Sequence, residues 1–378
     1  ATHVAFGSSR VMGTSAYTGQ AVGMAASVCK RHNLMPKELL SKDYITELQN
    51  FLAASNHYIP GILLNDENDL VKKASITCSS TLSLQELPEN KDLQVLDESL
   101  IQMIPLKKGA IPEITLHSYA DEITTLEVEF RSSNNNNYTP ENILESKALP
   151  LHIGRNCLSL SFNTTMKEDG YAYLCLKKNH LIKVPRSKDR ITGVLTLFNS
   201  INPAVSNFGK QAPTEDIGVD TFEFWCPKRR PAGENIAIRF SEPLEVFGVE
   251  NIRNGITRPT NLPNAWVADL KDSNPFIKLS WNSQQSIKRL ELSFDTDFDH
   301  PMESVLMTHP ENVMPFCIRN YQITDENGTV VYKKEGNFQT RNTILFAEAI
   351  STKTLTLNVE APCENIPAAL FEIRAYSE

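Results

Sequence analysis

From Asn65 onward, apolar and polar residues alternate with a period of two, in short runs cut by turn-forming stretches. Successive strand side chains point to opposite faces, so such runs bury one face only as β-strands. Residues 114–117, 126–130, 158–162 and 171–176 show the pattern, and 132–140, with four consecutive Asn, break it. Residues 199–216, carrying Asn, Pro, Ser and Gly with little periodicity, form a second break. Strand patterns resume at 221–225, 236–240, 277–281, 287–294, 318–323, 330–332, 354–359 and 370–376. Many short strands at this spacing predict a mainly β fold, with two jelly-roll-like β-sandwich domains at 65–200 and 201–378.

Residues 1–64 read differently. Val11, Ala21, Val22, Ala25, Ala26 and Cys29 recur at helical spacing, and Asn33 suits a helix C-cap. Pro36 suits the first position of a second helix reaching Ala54. Its apolar face comprises Leu39, Leu40, Tyr44, Ile45, Leu48, Phe51 and Leu52. A short N-terminal helical segment is therefore expected ahead of the sandwiches.

The formal net charge of −8 argues against non-specific nucleic-acid binding, which needs a basic face to displace counterions. No apolar run is long enough to span a bilayer as a helix. The chain opens Ala1-Thr2-His3, without an initiator Met or a signal pattern, and is read as a piece of a longer protein. Its seven cysteines are odd in number, widely spaced and without C-x-x-C, which disfavours a disulfide framework or a zinc site. Most are expected to pack as small hydrophobes. This cysteine usage leaves both the cytoplasm and the periplasm open as locations.

Two runs admit a chemical reading: Gly7-Ser8-Ser9-Arg10-Val11-Met12-Gly13-Thr14 and Gly19-Gln20-Ala21-Val22-Gly23-Met24-Ala25-Ala26. In one reading, Gly19 and Gly23 let the helix pack closely on a neighbour. In the other, the helix N-terminus and its preceding loop face an anionic or electron-rich ligand through free N–H groups and the helix dipole. Spacing alone leaves both open.

These runs resemble the closing motif of the flavin-binding domain in a bacterial family of FAD-dependent oxidoreductases. The resemblance covers residues 3–61, ending at Tyr58-Ile59-Pro60-Gly61. It implies an enzyme whose full-length parent holds FAD, with this loop and helix covering the flavin ring and ribityl chain. Carried onto this chain, the cofactor-binding residues are Arg10, Met12, Gly13, Gln20 and Gly23. His3 is a candidate substrate-side acid or base, the alternative being a frayed terminus. The family also holds the FAD pyrophosphate on a Gly-x-Gly-x-x-Gly loop, which this sequence lacks. The chain is accordingly expected to bind FAD weakly or not at all by itself and to rely on an upstream FAD-binding region of the same chain.

Residues 235–378 are similar to discoidin-like, galactose-binding-like jelly rolls. The similarity runs from Phe247-Gly248-Val249-Glu250-Asn251-Ile252 through Asn264-Ala265-Trp266-Val267-Ala268-Asp269 to Leu370-Phe371-Glu372-Ile373-Arg374-Ala375-Tyr376. It implies a sugar- or surface-binding module, the alternative being an architectural domain packed on a catalytic part.

Asp295, Asp297 and Asp299 alternate along a strand end, as in some Ca²⁺ loops. The template needs Gly at its sixth place and a carboxylate at its twelfth, where this chain has His300 and Leu306, so no metal is expected. Lys228-Arg229-Arg230 reads as a solvated turn or an interdomain ion pair. Asn163 and Asn327 head glycosylation triplets, which are frequent by chance. The expected function is the C-terminal part of an FAD-dependent oxidoreductase with a small-molecule or carbohydrate substrate. The alternative is a non-catalytic carbohydrate-binding or adhesion module.

Overall fold

A computed structural model of the chain describes residues 9–133, 139–199, 210–211, 222–223, 225–227, 234–296 and 317–378. The helical segment holds α1 (Met12–His32), a 3₁₀ turn (Pro36–Leu40) and α2 (Lys42–Ala54). Asn33 caps α1 in the left-handed conformation at φ 53°, and Leu34 N–H returns to Cys29 C=O at 2.8 Å. The second helix is not continuous from Pro36, because Ser41 takes extended backbone and restarts it. Serine competes with the helix for backbone bonds in mid-helix and suits its start. Val28, Leu39, Leu48 and Leu52 form a small core between these elements. Leu40 lies exposed instead of joining it, since the 3₁₀ turn rotates it away from Leu39.

The strands follow in chain order. They are β1 (Ser75–Cys78), β2 (Leu84–Leu87), β3 (Leu93–Leu96), β4 (Ser99–Leu106), β5 (Gly109–Ala110), β6 (Ile114–Ala120), β7 (Thr124–Ser132) and β8 (Asn142–Leu151). Next come β9 (Gly154–Leu160), β10 (Thr165–Met166), β11 (Gly170–Leu176), β12 (Asn179–Ser187), β13 (Thr196–Asn199), β14 (Lys210–Gln211), β15 (Phe222–Glu223) and β16 (Cys226–Pro227). The last are β17 (Asn235–Ile236), β18 (Ile238–Leu244), β19 (Trp266–Val267), β20 (Phe276–Phe294), β21 (Tyr321–Thr324), β22 (Val330–Lys334), β23 (Arg341–Val359) and β24 (Ala369–Tyr376).

The first sandwich faces the sheet β16-β13-β4-β11-β7-β8 against β17-β12-β6-β18-β2, with β3 on β12 and β9 on β6. The period-two pattern does what the sequence predicted. Leu126, Val128 and Phe130 of β7 point inward, as do Ile114 and Leu116 of β6 and Leu158 and Leu160 of β9, all in one apolar core.

The second sandwich is built from one hydrogen-bonded sheet bent over itself. Its long strands β20 and β23 pair along nearly their whole length, with register shifts between Ser280 and Gln285 and between Ile287 and Arg289. Irregularities of this kind bend strands and increase twist. The first part of β20 pairs with β1, and its last part pairs with β24. Ile277 and Leu279 thus share a core with Leu290, Leu292 and Phe294 of the same strand.

These pairings do not follow the expected division at 200/201. Strand β1 belongs to the second sandwich, whereas β16, β17 and β18 belong to the first. Alternation marks a strand but not its partner. The two cores also meet. Ala265 and Val267 enter the first core while Trp266 and Ala268 enter the second, and Phe371 and Leu370 divide in the same way.

All seven cysteines are free, and only Cys175 and Cys317 are buried. Cys29, Cys78, Cys175 and Cys317 pack against apolar clusters, as expected of most of them, whereas Cys157, Cys226 and Cys363 are exposed. Among the described residues no helix is long and apolar enough to cross a membrane.

Candidate functional site

His3, Lys228-Arg229-Arg230 and the acidic stretch from Asp297 lie outside the described residues. Arg10 is exposed immediately ahead of α1, whose first residues are Met12 and Gly13. The N-cap Val11 offers no side-chain bond to the helix, and the first turn contains no acidic residue. An α-helix leaves its first N–H groups without intrahelical partners, so this end presents donors and the positive end of the dipole.

Helical geometry sorts the remaining candidates onto different sides of α1. At 100° per residue, Met12, Gly19, Gly23 and Ala26 share one side, bordered by Val22. That side is open. Met12 is 86% exposed and Val22 62% exposed. Among the described residues, a Cβ placed on Gly13, Gly19 or Gly23 would meet nothing within 4 Å. The reading in which these glycines permit close helix packing is therefore not the one realised among the described residues.

Gln20 lies on another side, toward the body of the protein. Its Oε1 sits 2.9 Å from Nδ1 of His57, and the Tyr17 ring lies 4.1 Å from the His57 ring at 41°. An amide oxygen accepts, so Nδ1 carries the proton and Nε2 is left as the basic nitrogen. Partial burial lowers the His57 pKa, favouring the neutral ring. Sequence spacing gave no sign of His57. It follows the left-handed Asn56, at φ 60°, in the turn that leaves α2, and its partner is 37 residues away.

His57 lines a cleft of about 1110 Å³ where three units meet. The helical segment supplies Asn56 and Tyr58, the first sandwich Asn142, Thr164 and Asp169, and the loop after β18 supplies Thr257 and Asn261. Gly255 holds that loop against the linker. It has φ +80°, and an added Cβ would lie 3.1 Å from the Leu64 carbonyl oxygen. Asp169 is held ionised below its usual range by the Lys108 N–H, and Lys107 pairs with it at 3.2 Å. The remaining lining is rich in amides and hydroxyls, suited to a neutral hydrogen-bonding ligand.

A second cluster joins α2 to the outer face of the second sandwich. Glu291, 3% exposed, accepts from Arg289, from Arg341 at 2.5 Å and from Arg374 at 3.0 Å. Arg374 Nη2 also donates to the Ala54 carbonyl at the end of α2, at 2.8 Å. Arg374 Nε lies 2.9 Å from Glu372, and Tyr376 donates to Asp66 at 2.8 Å.

Burial pushes the Glu372 pKa up to about 7 against the pull of Arg374, with the nearby Asp69 and Glu291 charges adding to the rise and Arg341 opposing it. The folded pKa lies above the unfolded value near 4.5, so folding takes up a proton between them. This contribution to stability is present below about pH 4.5 and lost as pH rises through 7. Over that window it amounts to about 3 kcal/mol. Glu372→Gln is expected to flatten the fall in stability between pH 5 and 8, measured by urea denaturation at each pH. An unchanged slope would show that Glu372 does not titrate there.

Among the described residues no group of three or more His, Cys, Asp or Glu is placed to hold a metal ion.

Residues 1–52 match the family described as FAD dependent oxidoreductase. No curated protein matches the chain. Similar solved structures include the family 32 carbohydrate-binding module from Streptococcus pneumoniae EndoD. It is 14% identical, with 37% of this chain and 91% of that chain covered and a TM-score of 0.28. Chitosan-binding module 1 from a chitosanase/glucanase of Paenibacillus sp. IK-5 is 15% identical, covering 35% and 86%, with a TM-score of 0.25. The family 32 module from C. perfringens NanJ, solved with galactose, is 14% identical, covering 33% and 82%, with a TM-score of 0.24.

Proposed function

We propose that this chain is the C-terminal part of an FAD-dependent oxidoreductase, in which residues 3–61 close one side of the flavin site and the sandwiches serve as accessory domains. One observation carries the reading: the segment that matches the family leaves a side of α1 uncovered, at Met12, Gly19, Val22 and Gly23, while other sides of that helix pack. Exposed apolar faces of this kind mark contact surfaces.

The residues present fit part of the cofactor. The donors opening α1, with Arg10 beside them, suit the electron-rich edge of a flavin, and the bare glycine backbone admits close approach. Nothing in the sequence fits the pyrophosphate, so an upstream FAD-binding region is required. Bound FAD supplies the electron-transfer chemistry, and this chain covers and orients it. Gln20 fixes the His57 ring and leaves its free nitrogen available to move a proton at the cleft.

A second reading, a carbohydrate-binding module acting by binding alone, is favoured by the cleft. Asn56 lines it, and its Oδ1 is buried without a hydrogen-bond partner among the described residues. Amides and an aromatic ring such as Tyr58 suit polyhydroxylated ligands.

The test places the chain, in one reading frame, behind a flavin-binding domain that supplies the Gly-x-Gly-x-x-Gly loop. The expected product shows the visible absorbance of bound flavin at one per chain. Gly23→Leu is expected to remove most of that absorbance with circular dichroism unchanged, since a Cβ added there meets nothing within 4 Å among the described residues. Full flavin content in Gly23→Leu would take α1 out of the site.

A further inference from the structure

The walls of the cleft at His57 are tied together by their own hydrogen bonds. In the loop after β18, Asn264 takes the left-handed conformation at φ 55°. Its amide donates to the Arg258 carbonyl at 3.1 Å and to Thr260 Oγ1 at 2.7 Å. Thr260 in turn donates to Asn261 Oδ1 at 3.1 Å. Asn261 Nδ2 reaches the Asp169 carbonyl at 3.5 Å, which joins this loop to the first sandwich. Tyr58 joins it to the helical segment, since the Arg258 guanidinium lies 5.0 Å from the centre of its ring. Walls ordered in advance spare a ligand the cost of ordering them.

These walls offer groups that both donate and accept. The hydroxyls of Tyr58, Thr164 and Thr257 have no hydrogen-bond partner among the described residues. Asn261 keeps a second amide N–H. Asp169 takes the Lys108 N–H on Oδ1 and Lys107 Nζ on Oδ2, which leaves a lone pair on each oxygen. Its side chain is 41% exposed, so those lone pairs are within reach. A carboxylate with two open acceptors matches two adjacent hydroxyls, and it repels an anion. The charges nearly balance: Lys167 lines the cleft against Glu168 and Asp169, with Lys107 on Asp169 and Arg258 on Tyr58. The volume of about 1110 Å³ exceeds the range of roughly 300–1,000 Å³ usual for small-molecule sites, so the cleft has room for several sugar rings.

We infer that this cleft binds a neutral oligosaccharide, held by Asp169 of the first sandwich through adjacent hydroxyls, by Tyr58 of the helical segment and by Thr257 of the loop after β18. The ligand class rests on the carbohydrate-binding reading of the cleft. Two things are added to it. The ligand is an extended uncharged chain, and the site is complete only where the three units meet, not within either sandwich. Tyr58 supplies an aromatic body with a hydroxyl tip, which suits a sugar ring that is apolar on its faces and polar at its rim. The flavin reading is not needed for such binding.

The test is saturation-transfer NMR on the complete chain with maltotriose, cellotriose, β-1,4-galactotriose and N-acetylchitotriose, and with trigalacturonate as the charged counterpart. The expected result is binding of at least one neutral trisaccharide, tighter than its monosaccharide, with one site per chain by titration calorimetry. Asp169→Asn is expected to weaken it about tenfold or more, the loss of a hydrogen bond to a charged group. Tyr58→Ala and Thr257→Val should each weaken it about three- to tenfold, the loss of a neutral contact. Lys278→Gln, an exposed position on the second sandwich, should leave it unchanged. Circular dichroism checks that each variant folds, and the nearly isosteric Thr257→Val keeps the test open if Asp169→Asn loosens its loop. Preference for trigalacturonate over every neutral sugar would overturn the ligand class. Wild-type affinity in all three cleft variants would overturn the site while leaving a carbohydrate-binding module in place. Binding of none of the sugars would overturn both.

Discussion

Glu291→Gln is expected to destabilise the chain by about 3–5 kcal/mol, the usual cost of breaking a buried ionic group by removing one partner. Glu291 is 3% exposed, and its carboxylate is shared by Arg289, Arg341 and Arg374. The amide keeps the shape and one acceptor oxygen but removes the charge that balances them. Arg374 suffers most, because it is as buried as Glu291 and anchored to Ala54. Arg289→Gln should cost below about 1 kcal/mol by comparison, since its side chain is one-third exposed and solvent screens its charge. The pair of variants separates two accounts. Guanidinium denaturation curves showing a large loss for Glu291→Gln and a small one for Arg289→Gln fit a buried network. Equal small losses would reduce it to surface decoration. Replacing Glu291 and Arg374 together by Leu and Met should recover part of the loss, because the pair then leaves no charge behind.

This network shows where sequence reading stops. In β24, Glu372, Arg374 and Tyr376 alternate with apolar residues, which suggests a solvent-facing side. In the fold every residue of β24 is buried, because the helical segment covers the face on which Glu372 and Arg374 stand. Alternation reports the two faces of a strand, but not whether a second element covers the polar one. The same limit hid the sandwich boundaries. Strand β1 is legible only as a short strand, and its pairing with β20 joins positions about two hundred residues apart, Ser75 with Ser280. The small-residue side of α1 was legible because glycine and alanine at helical spacing are read directly from the chain. The His57 contact was not, because a turn brings it under Gln20.

Phe371→Ala is expected to destabilise the chain by about 3–5 kcal/mol and to weaken both sandwiches, although Phe371 belongs to a strand of the second. Phe371 is fully buried and lies in the core of the first sandwich with Ala369, while Leu370 beside it lies in the core of the second. Strand β19 pairs with this end of β24 through Trp266 and Leu370. It repeats the arrangement, with Val267 facing the first core and Trp266 the second. Strand β19 and the Ala369–Phe371 end of β24 are therefore apolar on both faces, as strands between two packed layers must be. A linker between independent domains would instead be exposed and polar, with few contacts crossing it. The cavity left by Phe371 opens in the first core but loosens the strand on which Leu370 and Ile373 are held in the second. Differential scanning calorimetry of the wild type should accordingly show the sandwiches melting in one transition, and Phe371→Ala should shift that transition as a whole. A variant scan in which the first sandwich melts early while the second keeps its wild-type midpoint would refute the shared seam. Trp266→Ala offers the reciprocal experiment from the other face. It empties the second core and removes the indole bond to the Ser80 carbonyl at 2.9 Å. If the seam couples the cores, its calorimetric trace should also keep a single transition, displaced downward by a similar amount.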